Sequence, residues 1–91
     1  MQRKLEQFIK DNSLEFTEGR RNSDAVVICG YALYLGVSDV DTIKDAMNIV
    51  FPPSIWADNL GIELDRVFNF AKANNYGKWW EKEENRKTYK L

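Results

Sequence analysis

The chain has 91 residues, 13 Lys or Arg against 14 Asp or Glu, 44% hydrophobic side chains, one cysteine and no histidine. That describes one small domain able to bury roughly 60–65% of its unfolded surface, and it excludes a disordered chain, a disulfide framework, a zinc site and a Ser-His or Cys-His catalytic pair. No apolar run reaches the roughly 18–20 residues of a membrane span and the charged start is not a signal peptide, so the expected setting is the reducing cytoplasm.

From Gln2 to about Asp11, Leu5, Phe8 and Ile9 fall at i, i+3, i+4 among charged residues, the pattern of a short amphipathic helix. Asp11-Asn12-Ser13 stops it, and Leu14 and Phe16 alternate with polar residues in an extended link before a turn at Gly19. Asn22, Ser23 and Asp24 are capping residues; from Ala25 to Leu35 no residue is charged. A helix apolar on all sides must be covered on several of them, so residues 22–35 are expected at the centre of the bundle. Gly30 there implies close approach of a neighbouring helix, and Gly36 is the expected left-handed terminator. Cys29 reads as a small buried hydrophobe.

Ser38-Asp39-Val40-Asp41 fits a Ser-x-x-acid helix start, followed by an inner stripe of Val40, Ile43, Met47 and Val50. Pro52-Pro53 ends that helix. Ser54–Asn59 is a loop with Ile55 and Trp56 tucked in as a lid, and Asp58 or Asn59 caps the last long helix. Leu60, Leu64, Val67, Phe68 and Ala71 form its stripe, and Asn74-Asn75-Tyr76-Gly77 its stop. The expected architecture is therefore all-α: a small bundle of about four helices, near 2–11, 22–35, 39–50 and 59–75, around a central apolar helix. Residues 1–77 form the helical domain and 78–91 a basic-aromatic C-terminal extension of one or two helical turns.

Charge is uneven along this plan. Residues 1–21 carry a net +1 and residues 22–65 a net -6, with Lys44 as the one cation of that middle stretch; residues 66–91 carry a net +4. Asp39, Asp41 and Asp45 do not have calcium-loop spacing; they read as a solvated face that complements the helix dipole, or as a docking surface for a basic partner. No phosphate-binding glycine loop and no nucleophile–base cluster occurs, so an enzyme is not expected, nor a metal, a cofactor or a small-molecule substrate.

Single-strand binders combine cations that follow the backbone with aromatic faces on which bases stack. Lys72, Lys78, Trp79, Trp80, Lys82, Arg86 and Lys87 supply that mixture. Adjacent tryptophans point in different directions, so one is expected to seal the bundle and the other to stand exposed; the alternative is that both close the core or meet a partner protein. Arg20 and Arg21, at a helix start with free N–H groups, make a phosphate site or else form ion pairs with Glu15 and Glu18.

Gly19-Arg20-Arg21-Asn22 leading into an apolar helix, the Gly36 turn, Pro52-Pro53 and an amphipathic helix ending in aromatics resemble the primase C-terminal (PriCT-like) helical module of phage, plasmid and mobile-element primases and primase-helicases. Gly19-x-Arg21-Asn22 and Pro52-Pro53 carry the match, over about residues 17–80. The resemblance implies a stand-alone accessory to DNA replication, without a catalytic domain of its own. It would bind single-stranded DNA through Arg20, Arg21 and the C-terminal third, and dock on a separately encoded primase, polymerase or helicase. A second reading is a protein-binding adaptor or inhibitor, for example phage-encoded, with Trp56, Trp79, Trp80 and Tyr31 or Tyr34 as anchors. A helix-turn-helix regulator is a third, disfavoured because Glu63 and Asp65 would repel phosphates. The DNA reading requires the arginine collar to share a face with Lys78, Trp79 and Trp80.

Overall fold

The computed structural model describes residues 1–17, 19–51 and 60–91, the side chains of 60–63 excepted. The Pro52-Pro53 stop, the Ser54–Asn59 loop and the placement of Trp56 lie outside the described residues. Within them the fold is all-α: α1 (Gln2–Asp11), α2 (Arg21–Tyr34), α3 (Asp41–Val50), α4 (Leu60–Ala73), a 3₁₀ segment (Tyr76–Glu81) and a single turn, α5 (Glu83–Arg86). Each of the four expected long helices is present within one or two residues of its expected ends.

Helix α2 is the centre. It packs mainly against α4 and the 3₁₀ segment, while α1 packs mainly against α3. Ala25, Ile28, Cys29, Tyr31 and Ala32 are buried, and Val26, Val27, Leu33 and Leu35 are packed against them. Leu5, Phe8 and Ile9 face inward from α1, Ile43, Ala46 and Met47 from α3, and Leu64, Val67, Phe68 and Ala71 from α4. The 3.6-residue period that picks these stripes out of the sequence is also the one that buries them.

The helix ends follow one device. Ser13, Gly36 and Asn75 each adopt a left-handed φ of 53°, 92° and 56° just after α1, α2 and α4. At the first two ends, the next residue's N–H turns back to a carbonyl five residues earlier, Leu14 to Ile9 and Val37 to Ala32. This closes orphan carbonyls and tucks Leu14 and Val37 into the core. Phe51, which precedes a proline, is extended as expected (φ -120°, ψ 146°).

The starts differ from expectation. Helix α2 begins at Arg21, with no side-chain cap from the residue before it. Asp24 does not cap its own helix: its Oδ2 accepts the backbone N–H groups of Glu15 (3.0 Å) and Phe16 (3.1 Å). Phe16 is fully buried and sits at φ 55°, so its N–H is cut off from water and needs an acceptor. Asp24, 4% exposed, supplies it. At α3 the N-terminal acceptor is Asp39, whose Oδ1 takes the Thr42 N–H at 3.1 Å.

Burial also sets the chemistry of Cys29. Its thiol is pushed from 9.0 up to about 12 by desolvation, and Tyr31 is shifted upward by burial and by the neighbouring Tyr34. The folded state therefore keeps a proton that the unfolded thiol releases near pH 9.0. This stabilisation is complete below that pH and is lost as pH rises toward about 12. Stability followed by urea unfolding is expected to decline across this window, and Cys29→Ala to flatten the decline. Native protein should not react with an alkylating reagent that labels Cys29 in urea.

Candidate functional site

The C-terminal third is built onto α2 by two close approaches. A Cβ on Gly77 would meet the backbone at Leu33 and Tyr34 at 3.2–3.3 Å, and one on Gly30 would meet the Trp80 indole Nε1 at 3.0 Å. The neighbour that Gly30 admits is the 3₁₀ helix, through the edge of its Trp80 and the Tyr76 carbonyl at 3.6 Å. Trp80 is 3% exposed and lies among Tyr31, Phe8 and Tyr89, with ring centroids 4.9–5.6 Å away. Phe8 and Tyr31 stack at 4.1 Å beneath it. Trp79 is 45% exposed, meeting Trp80 edge-on at 5.0 Å. The two tryptophans are therefore divided, Trp80 into the core and Trp79 to the surface.

The segment beyond them is tied down by polar contacts. Arg86 donates to the carbonyls of Trp80 and Glu81, both at 2.9 Å, and its guanidinium lies 5.8 Å over the Tyr34 ring. Asn85 donates to the Trp79 carbonyl at 2.7 Å. The carbonyls that end the 3₁₀ segment are thus closed by side chains of α5. Asn12 then forms a two-way amide clip with Lys90, donating to its carbonyl at 2.9 Å and accepting its N–H at 2.7 Å. The boundary expected at residue 78 falls inside the 3₁₀ segment, and the residues beyond it help to close the core.

The remaining cations are arranged as follows. Lys72, Lys78, Lys82 and Lys87 are exposed, and none of them has an ion-pair partner among the described residues. Lys72 and Lys78 line a cavity of about 290 Å³ with Tyr34, Asn75 and Glu81. Tyr34 and Phe70 are 37% and 54% exposed nearby in the fold, Phe70 edge-on to Tyr76 at 5.6 Å. A second, apolar groove of about 330 Å³ is lined by Val26, Val27, Tyr76, Trp79, Trp80 and Tyr89.

The arginine collar is elsewhere. Arg20 pairs with Glu15 and Asp24, each at 3.4 Å, and donates to the Ser13 carbonyl. Arg21 is half-buried, and its Nε meets no acceptor among the described residues; a pairing with Glu18 lies outside them. Trp80 and Gly77 touch α2 at Gly30 and at Leu33–Tyr34, while Trp79 shares a groove with Val26 and Val27, five and six residues beyond Arg21 or roughly 8 Å along the axis. Among the described residues the polar contacts of Arg20 are with Ser13, Glu15 and Asp24, and none is with the tryptophan–lysine segment. Asp39, Asp41 and Asp45 are exposed on or just before α3, and Lys44 of that helix pairs with Asp65 at 3.0 Å.

Phe70 and Ile49 were not picked out from the sequence as surface residues. The signal was present, since each is a large apolar residue off its helix's inner stripe; Ile49 is 63% exposed. The paired contact of Asn12 and Lys90 left no local signal. Among the described residues no three Asp, Glu or Cys side chains converge as a metal site, and no helix is long and apolar enough to cross a membrane. The chain matches no family model, no curated protein and no solved structure.

Proposed function

We propose that this chain is a non-catalytic, cytoplasmic accessory to DNA replication in a phage or mobile element. It binds single-stranded DNA on the face formed by the C-terminal ends of α2 and α4 and the 3₁₀ segment. A separately encoded primase, polymerase or helicase is its protein partner. The observation that carries the DNA reading is the exposed Trp79, with the exposed Lys78 and Lys82 one residue before and three after it in the chain, the mixture of stacking face and cations that single-strand binders use. Tyr34, Phe70 and Lys72 extend the same mixture. The short Gly19-x-Arg21-Asn22 and Pro52-Pro53 motifs support the replication setting, and the acidic Asp39, Asp41 and Asp45 suit a basic protein partner.

Trp80 and Arg86 hold the fold, Arg20 is occupied by carboxylates, and the stacking role rests on Trp79. In a titration with a fluorescent oligonucleotide, Trp79→Ala should weaken binding by roughly 5- to 100-fold, as the loss of one stacked base does. Any single lysine change should cost less. Affinity should fall steeply with salt. Absence of binding at low salt sinks the DNA reading. A protein-binding adaptor with no nucleic-acid contact is the second reading. The apolar groove beside Trp79 favours it, because a nucleic-acid backbone has no use for a wall of Val26, Val27 and Tyr89.

A further inference from the structure

The cavity of about 290 Å³ where α2 and α4 end against the 3₁₀ segment is bordered by Tyr34, Lys72, Asn75, Lys78 and Glu81. Its three charged side chains are exposed, yet among the described residues no ion pair joins Glu81 to Lys72 or Lys78. Opposite charges that share a cavity without pairing suit a ligand that carries both an anionic group and hydrogen-bond donors. The backbone behind them is fixed. Asn75 turns the chain out of α4 at φ 56°, and its carbonyl accepts the Lys78 N–H at 3.0 Å. Gly77 lies against the backbone of Leu33 and Tyr34, and Arg86 holds the Glu81 carbonyl at 2.9 Å. The same guanidinium lies over the Tyr34 ring, which keeps 37% of the residue's surface in water. Asn75 does not use its side chain to cap the 3₁₀ segment, which leaves that amide to the cavity it lines.

We propose that this cavity seats one guanine nucleotide. Its volume, at the lower end of the roughly 300–1,000 Å³ of small-molecule sites, suits a single nucleotide and not a run of them. Lys72 and Lys78 supply cations for the phosphate, and Tyr34 an aromatic surface for the base. Glu81 selects the base. A carboxylate only accepts hydrogen bonds, through two oxygens side by side. Guanine is the one base whose Watson–Crick edge presents two adjacent donors, N1–H and N2–H₂, and in a single strand that edge is open. Adenine and cytosine set an acceptor nitrogen beside their amine, and thymine flanks its one N–H with two carbonyls. Each of these turns a lone pair toward the carboxylate. Guanine O6, next to the donor pair, is an acceptor for the Asn75 amide. The negative Glu81, which opposes binding of a bare phosphate, thus has a part in a nucleotide site. The seat deepens the DNA reading and, for a base within a strand, rests on it; a free guanosine nucleotide offers the same chemistry.

Two titrations of the whole chain at low salt test the seat. One compares an all-thymine oligonucleotide with a strand of equal length that carries isolated guanines. The other adds dGMP, dAMP, dCMP or dTMP and follows backbone amide shifts by NMR. The guanine strand should bind roughly tenfold tighter, within the range of one bidentate base contact. The amides of Asn75, Lys78 and Glu81 should respond to dGMP more than to the other nucleotides. Glu81→Gln, at an exposed position, should abolish the preference, because its amide sets a donor against a donor, and should not weaken binding of the thymine strand. Lys72→Ala should weaken both strands alike. Circular dichroism checks that each variant is folded. Strand binding without a guanine preference, or a preference that survives Glu81→Gln, overturns the seat and leaves the DNA reading standing. A selective dGMP response with no strand bound keeps the seat for a free nucleotide and sinks the DNA reading. No response to any strand or nucleotide overturns both.

Discussion

Replacing Trp80 by alanine is expected to destabilise the fold by about 3–5 kcal/mol, as truncation of a buried tryptophan does. For a domain of this size that is a large share of a total of about 5–15 kcal/mol, and each kcal/mol corresponds to roughly 4–8 °C in thermal midpoint. The indole fills the space above Gly30 and between Phe8, Tyr31 and Tyr89, so its removal opens a void with walls on α1, α2 and the C-terminal segment at once. These walls belong to separate elements and cannot all collapse into the gap together. Trp79→Ala, at a half-exposed position, should shift stability by no more than about 1 kcal/mol. Thermal and urea transitions followed by circular dichroism measure both. A Trp80→Ala protein that melts with the wild type would show that residues 76–91 do not close the core.

Asp24→Ala should destabilise by about 2–4 kcal/mol, the loss of a buried charged acceptor that serves two backbone donors. Without it the Glu15 and Phe16 N–H groups lose their partner, and Phe16 is left to hold an unfavourable left-handed backbone on packing alone. Asp24→Asn keeps an oxygen in place and should lose roughly half as much. Arg20→Ala removes a half-exposed ion pair with Glu15 and a 3.4 Å contact from a half-exposed guanidinium to the buried Asp24. The Asp24 Oδ2 keeps its two backbone donors, so stability should change by about 1 kcal/mol. The ranking Ala, then Asn, then the arginine variant, read from urea midpoints, distinguishes a carboxylate that anchors the 13–17 link from one that serves mainly as an ion-pair partner.

What could be read from the sequence was whatever depends on neighbours three or four residues away. Leu5, Phe8 and Ile9 announce α1, and Ile43 and Met47 announce α3, because a single helix period decides which side is buried. The division of Trp79 from Trp80 follows in the same way from the direction of adjacent side chains. Contacts between distant segments were not legible. Asp24 has the composition of a cap, and only the buried N–H groups eight and nine residues earlier explain where its carboxylate goes. Arg86 looks like one more cation in a basic stretch. Its partners are two carbonyls of the 3₁₀ segment and a tyrosine 52 residues away. Arg20 looks like a free cation at a helix start, and only the fold shows it held between Glu15 and Asp24.

The clip between Asn12 and Lys90 spans 78 residues. During synthesis, Phe8 and Tyr31 leave the ribosome long before Trp80 and Tyr89, the rings that cover them. Most of the chain must be made before its central aromatic cluster can form, and a long loop must close to form it. Helices α1 to α3 thus emerge as a half-built bundle with a sticky aromatic face. Closing that cluster takes the docking of a strap rather than the zipping of neighbours, contacts more distant in sequence than a simple up-and-down bundle requires. A ribosome stalled before residue 80 would hold a nascent chain without its lid, the stage at which this protein is most open to misassembly or to capture by a chaperone.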